Sequence, residues 1–341
     1  MGSRAWNYWV VALILAAALW AAGSPRAEEA AQPKGFSSTM AFDVYAVTGE
    51  SAQLVGSHVG STPSQQPVTI PPCRWWYVEP PPSVDIEKVR REVEAQKVPG
   101  LKLRNATDGD LYELEGLTTL EGLSLWYTYV TDVGMQYLKG LTGLKHLDLW
   151  GTAVRDRGLR NLQGLTSLQG LDLTNTLVTD AGLEDLKGLT ALRGLSLWHT
   201  QVTDAGLVHL QALAGLQYLG LLDTQVTDAG LAHLEGLTAL QQLDLSYDQV
   251  TDAGLAHLEG LTALQQLTLL DTRVTDAGLV HLRGLTGLQK LDLSYIQITD
   301  AGLKNLKGLT TLKQLDLCGT NVTDEGVRQL KRSLPNLEVD W

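Results

Sequence analysis

The sequence has few of the residues on which disulfide-stapled domains and nucleic-acid-binding proteins depend. Its 341 residues include two cysteines, Cys73 and Cys318, which are too few for a disulfide framework. Lys and Arg number 26 against 38 Asp and Glu, so the formal net charge is −12. Binding to nucleic acid requires clustered cations that neutralise backbone phosphates. The composition therefore argues against a nucleic-acid partner.

Motifs of catalysis and metal binding are also missing from the sequence. It has no P-loop, GxGxxG, nucleophile elbow, HExxH, CxxC or Asp-rich calcium loop. An acid–base candidate, His199 near Asp172, Asp223 and Ser196, is interpreted as a chance grouping on a repeated surface. Histidines recur every 24 residues at His209, His233, His257 and His281. Other copies of that position carry Tyr, Asn, Asp or Gln, so we predict an exposed polar site rather than a metal ladder. We expect no enzyme activity, no cofactor and no metal.

A long apolar run occurs at the N-terminus, from Val10 to Trp20. It is too short to span a membrane comfortably. Arg4 precedes it, and the small residues of "AAG" follow it, as in a secretory signal peptide. We predict a signal peptide over residues 1–27, cleaved after about Gly23 or Ala27, and a secreted or periplasmic protein. The alternative is an uncleaved anchor, which would bring the protein to a membrane.

The dominant feature of the sequence is a repeat of 24 residues. Asp recurs at this spacing ten times, from Asp108 to Asp324, and such a period is typical of stacked repeat architectures. Each copy reads "VTDAGLxxLxGLTxLxxLxLxxTx" with small variations. The "LxL" part alternates with a period of two and predicts a short strand with buried leucines. "TDAGLxxLxGL" predicts a short helix, capped by its Thr or Asp.

Two further predictions concern the ends of these elements. The second Gly of the helix, as at Gly236 and Gly260, is expected to adopt a left-handed conformation, because helices commonly end that way. The Thr that follows each strand, as at Thr152 and Thr200, is predicted to be buried, with its hydroxyl bonded to backbone groups at the bend. Asp248 replaces this Thr in one copy and can still accept hydrogen bonds there.

The pattern "LxxLxLxxTxVTDxGLxxL" resembles a leucine-rich repeat. It is similar to the subclass with a T-D-x-G-L helix start, found in F-box-type and bacterial repeat proteins, although Thr replaces the usual Asn or Cys at the bend. The resemblance covers residues 101–341, about ten repeats. It implies an α/β fold: a curved horseshoe-shaped solenoid with parallel strands on the concave face and short helices on the convex face. It also implies that the concave face binds another macromolecule.

The part of the chain before the repeats is divided into two segments. Residues 28–81 alternate apolar and polar residues between turn signals, which predicts a small β-rich or partly disordered segment. "VGSTP" and "VTIPP" within it faintly resemble the PEGA-type β-module of bacterial envelope proteins. Residues 82–100 are predicted to contain an amphipathic helix that caps the solenoid, with Ser83 as its N-cap.

A comparison of repeat copies separates scaffold from surface. Residues 226–243 and 250–267 are identical, whereas the next six residues read "DLSYDQ" and "TLLDTR", with one Leu in common. The constant part contains the helix and the buried leucines, and the variable part contains the outward strand residues and the following turn.

These outward positions form three rows across the sheet. The first row is Ser124, Asp148, Asp172, Ser196, Gly220, Asp244, Thr268, Asp292 and Asp316. The second row is Trp126, Trp150, Thr174, Trp198, Leu222, Ser246, Leu270, Ser294 and Cys318. The third row is Tyr127, Gly151, Asn175, His199, Asp223, Tyr247, Asp271, Tyr295 and Gly319.

The rows predict a concave face that is aromatic in its first half and acidic throughout. Row neighbours lie about 4.8 Å apart, so Trp126 and Trp150 should stack. Exposed aromatics are typical of interface hot spots. The residues predicted to bind a partner are Trp126, Tyr127, Asp148, Trp150, Asp172, Trp198, His199 and Asp223. We predict a non-enzymatic scaffold that binds a protein, one with a basic patch, outside the cytoplasm. The alternatives are a carbohydrate-binding protein that stacks sugars on the same aromatics and a purely structural envelope protein.

Overall fold

The structure is a computed structural model, which describes residues 34–47, 57–64, 66–71, 73 and 75–341. The predicted signal segment, residues 1–27, lies outside the described residues. The chain divides into two units, residues 1–177 with 191–196 and residues 178–190 with 197–341, called here the first and the second unit. Within the described ranges, no helix is both long and apolar enough to cross a membrane.

The first unit begins with a β-rich segment, as the alternation of apolar and polar residues predicted. Its strands are β1 (Lys34–Phe36), β2 (Phe42–Val47), β3 (Ser57–Thr62), β4 (Val68–Ile70) and β5 (Trp75–Glu79). Strand β2 pairs antiparallel with β3 and β5, and β1 pairs antiparallel with β4. Val78 of β5 pairs in parallel with Leu101, in the first repeat strand. The segment is thus joined to the repeats by backbone hydrogen bonding. The likeness to a PEGA-type module is not confirmed.

An amphipathic helix precedes the repeats, in the part of the chain where the sequence predicted a cap. Helix α1 spans Ile86–Ala95 and buries Val89 and Val93. Its N-cap is Asp85, whose carboxylate accepts a hydrogen bond from the Lys88 N–H at 3.3 Å. The prediction of Ser83 as the cap was wrong by two residues. Both side chains are good caps, so composition alone does not choose between them.

The "LxL" segments form short strands in both units. In the first unit they are β6 (Gly100–Lys102), β7 (Gly122–Ser124), β8 (His146–Asp148), β9 (Gly170–Asp172) and β10 (Gly194–Ser196). In the second unit they are β11 (Tyr218–Gly220), β12 (Gln242–Asp244), β13 (Gln266–Thr268), β14 (Lys290–Asp292), β15 (Gln314–Asp316) and β16 (Glu338–Asp340). Within each unit the neighbours pair in parallel with leucine opposite leucine, for example Leu147 with Leu171 and Leu243 with Leu267. These leucines are buried.

The predicted helices are present but short, and most continue as a 3-10 turn. In the first unit they are α2 (Asp108–Tyr112), α3 (Asp132–Met135) and α4 (Asp156–Leu159), with 3-10 turns at Gln136–Leu138 and Arg160–Leu162. In the second unit they are α5 (Asp180–Leu183), α6 (Asp204–Leu207), α7 (Asp228–Leu231), α8 (Asp252–Leu255), α9 (Asp300–Leu303) and α10 (Asp324–Ser333). The 3-10 helices of that unit are Glu184–Leu186, Val208–Ala212, Ala232–Leu234, Ala256–Leu258, Gly278–Gly284 and Lys304–Leu306.

Thr and Asp at the helix start have different roles. The Thr251 hydroxyl accepts from the Ala253 N–H of its own helix at 3.3 Å. The Asp228 carboxylate instead caps the next repeat, because its Oδ1 accepts from the Thr251 N–H at 2.7 Å and its Oδ2 from the Thr251 hydroxyl at 2.6 Å. A Cβ at Gly254 would overlap Asp228 Oδ1. The Asp of one repeat therefore requires the Gly of the next.

The left-handed residues lie at the bend after the strand, not at the end of the helix. None of Gly188, Gly236, Gly260, Gly284 and Gly308, all of which the structure describes, has a positive φ. The predicted left-handed helix ends were therefore wrong at these positions, because the helices pass into 3-10 turns. Every third-row residue has a positive φ: 52–62° for the non-glycines, 69° for Gly151 and 72° for Gly319.

Candidate functional site

The bend after each strand determines which side chains face outward. At most bends the Thr donates its hydroxyl hydrogen to a backbone carbonyl three residues earlier, as Thr152 does to Leu149 O at 2.7 Å, whereas Thr224 donates to the Asp248 carboxylate. The predicted buried Thr hydroxyls are thereby confirmed. The left-handed residue just before the Thr turns the chain, so third-row side chains lie at the surface. The three rows of each unit are called its strand face.

Three aromatic side chains form a cluster on the strand face of the first unit. The rings of Trp126 and Trp150 stack as expected, with centroids 5.3 Å apart and an interplanar angle of 26°. The Tyr127 ring lies 5.8 Å from Trp126 and 5.9 Å from Trp150. Trp126 is 36% exposed and Tyr127 48%, and Trp150 is half-buried. These three residues are called the aromatic cluster.

Backbone contacts hold the aromatic cluster in place. The Tyr127 N–H donates to Trp150 O at 2.8 Å, and the Trp150 N–H donates to Asp148 Oδ1 at 3.0 Å. Tyr127 has a φ of 52°, and its ring lies over Gly151, where an added Cβ would come within 2.9 Å of the ring. The absence of a side chain at Gly151 thus leaves space for Tyr127.

Two cations lie beside the aromatic cluster. The Lys102 Nζ is 5.2 Å from the centroid of the Trp126 ring, in a cation–π contact. Lys102 Nζ is also 3.5 Å from Glu79 Oε2, and the Arg104 guanidinium contacts the other oxygen of the same carboxylate. The side chain of Glu79 is only 4% exposed, whereas that of Arg104 is 56% exposed. Arg104 also lines a cavity of about 380 Å³ formed with Phe42, Asp43 and residues 80–82.

Asp148 and Asp172 do not present exposed carboxylates, contrary to the expectation from their row. Both are buried, and Asp172 is 2% exposed. Each carboxylate turns back to its own backbone, where Asp172 Oδ1 accepts from the Thr174 N–H at 2.8 Å. Burial raises the pKa of Asp172 to about 7, and the neighbouring Asp148 adds to the rise. Burial also raises the pKa of Asp148. The strand face of the first unit is therefore less acidic than its sequence implies.

Trp198, in the second unit, is also buried, with 1% exposure. Its indole occupies the space above Gly220, where an added Cβ would lie 2.9 Å from Trp198 Cδ1. Most copies have Asp, Ser or Thr at the Gly220 position. The expectation that Trp198 is exposed was wrong, because a glycine in the next strand lets the ring fold down against the sheet.

His199 and Asp223 form an exposed pair in the second unit. The His199 Nδ1 and Asp223 Oδ2 atoms are 2.8 Å apart, and φ is 52° for His199 and 53° for Asp223. Both stand in the third row and face solvent. Among the described residues, no group of three or more His, Cys, Asp or Glu side chains could hold a metal ion.

A buried acidic pair in the second unit was not predicted as a functional feature. Asp248 Oδ1 accepts from the Thr224 N–H at 3.0 Å and from its hydroxyl at 2.9 Å, so the expectation that Asp248 accepts hydrogen bonds is confirmed. Asp244 Oδ1 accepts from Ser246. Within the described part of the chain, the Oδ2 atoms of Asp244 and Asp248 have no hydrogen-bond partner. Burial raises the pKa of Asp244 to about 7 and that of Asp248 to about 9. In the sequence, the replacement of the usual Thr by Asp248 was the feature that could have indicated this buried acid.

Comparisons with known proteins agree with this architecture. A family model described as "Leucine Rich repeat" matches residues 285–307 and 308–330. The crystal structure of an internalin C2 from Listeria monocytogenes is 28% identical, with a TM-score of 0.51, over 70% of this chain and 92% of that one. A second Listeria monocytogenes internalin, inlF, is 23% identical, with a TM-score of 0.48, over 75% of this chain and 92% of its own. No curated protein gives a significant match. With the repeat geometry described above, the family match and the first structure identify the chain as a leucine-rich-repeat protein.

Proposed function

We propose that the protein is a non-enzymatic scaffold that acts outside the cytoplasm and binds a partner protein through the aromatic cluster. The observation that carries this proposal is that Trp126, Tyr127 and Trp150 contact one another while two of them remain well exposed. Large aromatic side chains supply much of the binding energy of protein interfaces. A contiguous exposed patch of them on a monomer usually marks a contact surface.

The bend at position 127 does not explain why the residue there is a tyrosine. A non-glycine residue in the left-handed region costs roughly 1–2 kcal/mol, and Gly, Asn and Asp tolerate it best. Gly151 and Asn175 occupy the corresponding positions of the next two repeats with the same sign of φ. The bend therefore does not require a tyrosine. Tyr295 has the same backbone conformation, so what distinguishes Tyr127 is its ring contact with Trp126 and Trp150.

The other predicted site residues divide into two groups. His199 and Asp223 are exposed and remain candidates for partner contact in the second unit. Asp148, Asp172 and Trp198 are buried, so we assign them to positioning of the strand face rather than to direct contact. A location outside the cytoplasm rests on the signal-like segment at residues 1–27.

The test is affinity capture with the full chain from envelope and supernatant extracts of the source organism. The wild type is compared with Trp126→Ala, Trp150→Ala and Tyr127→Asn. Tyr295→Asn is the matched control, because Tyr295 is also exposed, left-handed and placed against a glycine, Gly319. We expect a protein that is recovered by the wild type and the control and lost with the three cluster variants. Recovery of the same proteins by every variant would contradict the proposal.

The carbohydrate alternative is tested with the same variants on immobilised cell-envelope glycans. Stacking of sugars on the aromatic cluster should be nearly independent of salt, whereas charged contacts to a protein weaken as salt rises. Glycan binding that is lost with Trp126→Ala and unaffected by salt would favour the alternative.

A further inference from the structure

We infer that the partner segment that docks on the aromatic cluster is an acidic peptide, with Asp or Glu carboxylates that pair with Lys102 and Arg104 beside apolar side chains that cover the rings. This inference rests on the proposed function, because it names the chemistry of the partner for the same site. It reverses the expectation of a partner with a basic patch, which the acidic rows suggested.

The charges on the strand face of the first unit support an acidic partner. Lys102 pairs with Ser124 across the strands and so begins the first row, and Arg104 begins the second row two residues later. The two acidic row residues of this unit, Asp148 and Asp172, are buried. All row positions of the first unit lie within the described residues. Among them, the charged side chains at the surface are therefore the cations Lys102 and Arg104.

The Glu79 carboxylate contacts both cations, and the buried Asp148 carboxylate also interacts with Lys102. Glu79 is buried and contacts Lys102 and Arg104, so this group of three side chains carries a net positive charge. The next acidic residue on the sheet is Asp43, opposite Glu79. Its carboxylate accepts from the Ser61 hydroxyl at 2.7 Å and lies 3.5 Å from His58 Nε2. Asp43 lines the same cavity as Arg104, and its ion-pair contact is with His58 rather than with either cation.

The contact between Lys102 and Trp126 also argues against a basic partner. An exposed tryptophan can bind a Lys or Arg of a partner through its ring face. On Trp126, Lys102 already occupies such a position, 5.2 Å from the ring centroid. A partner cation would have to displace Lys102 or approach two like charges. A partner carboxylate instead meets the Arg104 guanidinium, whose side chain is 56% exposed.

The experiment uses a displayed library of random short peptides, selected for binding to the full wild-type chain. Only peptides that lose binding to Trp126→Ala are kept. We expect these peptides to be enriched in Asp and Glu next to apolar residues. Their affinity should fall with rising salt, and should fall roughly two- to fivefold with Lys102→Gln or Arg104→Gln, the range of one exposed charge pair.

Glu79→Gln adds a variant for which the acidic-partner proposal predicts tighter binding. The substitution preserves the size of the side chain and removes the one negative charge shared by Lys102 and Arg104. Affinity for the acidic peptides should rise roughly two- to fivefold, and a folding defect cannot produce such a gain. Glu338→Gln, at an exposed position in strand β16, is the matched control and should leave affinity unchanged.

The outcomes separate the two proposals. Neutral or basic peptides that depend on Trp126, with affinities unchanged by Glu79→Gln, would overturn the acidic partner and leave the proposed function standing. A library that gives no peptide dependent on Trp126 would overturn the aromatic cluster as a binding site, and the acidic partner with it.

Discussion

At the scale of single residues, the tryptophans of the second row differ in their surroundings although their sequence contexts are alike. Trp126 stacks on Trp150 and stays exposed, whereas Trp198 lies over Gly220 and is buried. The row assignment correctly placed Trp126 beside Trp150. It did not predict the burial of Trp198, because that depends on how the ring turns toward a neighbouring strand. In the sequence, only the glycine at position 220 indicates that the Trp198 ring has space to lie against the sheet.

We predict that two tryptophan substitutions differ in their effects on stability and on partner binding. Trp198→Ala should lower the free energy of unfolding by about 3–5 kcal/mol, as expected for a truncated buried aromatic. Trp126→Ala should change it by less than about 1 kcal/mol while removing partner binding. Denaturant unfolding of both variants measures the difference. Equal losses of stability would show that Trp126 is part of the scaffold.

The buried acids Asp244 and Asp248 predict a dependence of stability on pH. The pKa of Asp248 is raised to about 9, so the folded state keeps a proton that the unfolded chain loses above about pH 4. The contribution of Asp248 to stability should therefore be fully present below about pH 4 and be lost as pH rises from about 4 to about 9. Asp244, with a pKa of about 7, should add to the fall over the lower part of that range.

Asp248→Thr restores the residue that most copies have at this bend and removes one buried acid. The fall in unfolding free energy between about pH 5 and about pH 9 should be smaller in Asp248→Thr than in the wild type. Glu338→Gln, which alters an exposed acid of the same unit, is the control and should follow the wild-type profile. Parallel profiles for the wild type and Asp248→Thr would show that Asp248 does not cause the dependence.

At the scale of elements, the strands could be predicted from the sequence and the helix ends could not. A period of two with leucine on one side is a local pattern, and it specified every repeat strand. The helix capping depends on a contact between residues 23 positions apart, as from Asp228 to Thr251. The recurrence of "TDxG" indicated that both residues matter, but it did not show that they act across two repeats.

The inter-repeat contact predicts different effects at two glycines of adjacent copies. Gly254→Ala places a methyl group against Asp228 Oδ1 and should cost about 1–3 kcal/mol of stability, as overpacking does. Gly236 has no atom within 4 Å of an added Cβ and no positive φ. Gly236→Ala should therefore be neutral or stabilising by up to about 1 kcal/mol. Thermal and denaturant unfolding measure both variants. A neutral Gly254→Ala would contradict the proposed packing of Asp against Gly.

At the scale of the whole molecule, a net charge of −12 conceals a difference between the strand faces of the two units. The first unit has Lys102 and Arg104 at its surface rows, and its acidic row residues are buried. The second unit has exposed Asp223 and Asp271 in its third row. The three rows predicted an acidic face throughout. Which carboxylates turn back to cap their own strands depends on side-chain packing, and the sequence does not specify that.

The repeat architecture also predicts how the protein opens. In a stack where each repeat contacts its neighbours, stability is approximately a sum of repeat and interface terms. Weakening the contact between Asp228 and Gly254 should therefore act locally. With Gly254→Ala, amide hydrogen exchange should accelerate most in helices α7 and α8 and progressively less toward α10. A uniform acceleration through all of residues 197–341 would show instead that the second unit opens as one cooperative body, and that the interface terms outweigh the intrinsic stability of each repeat.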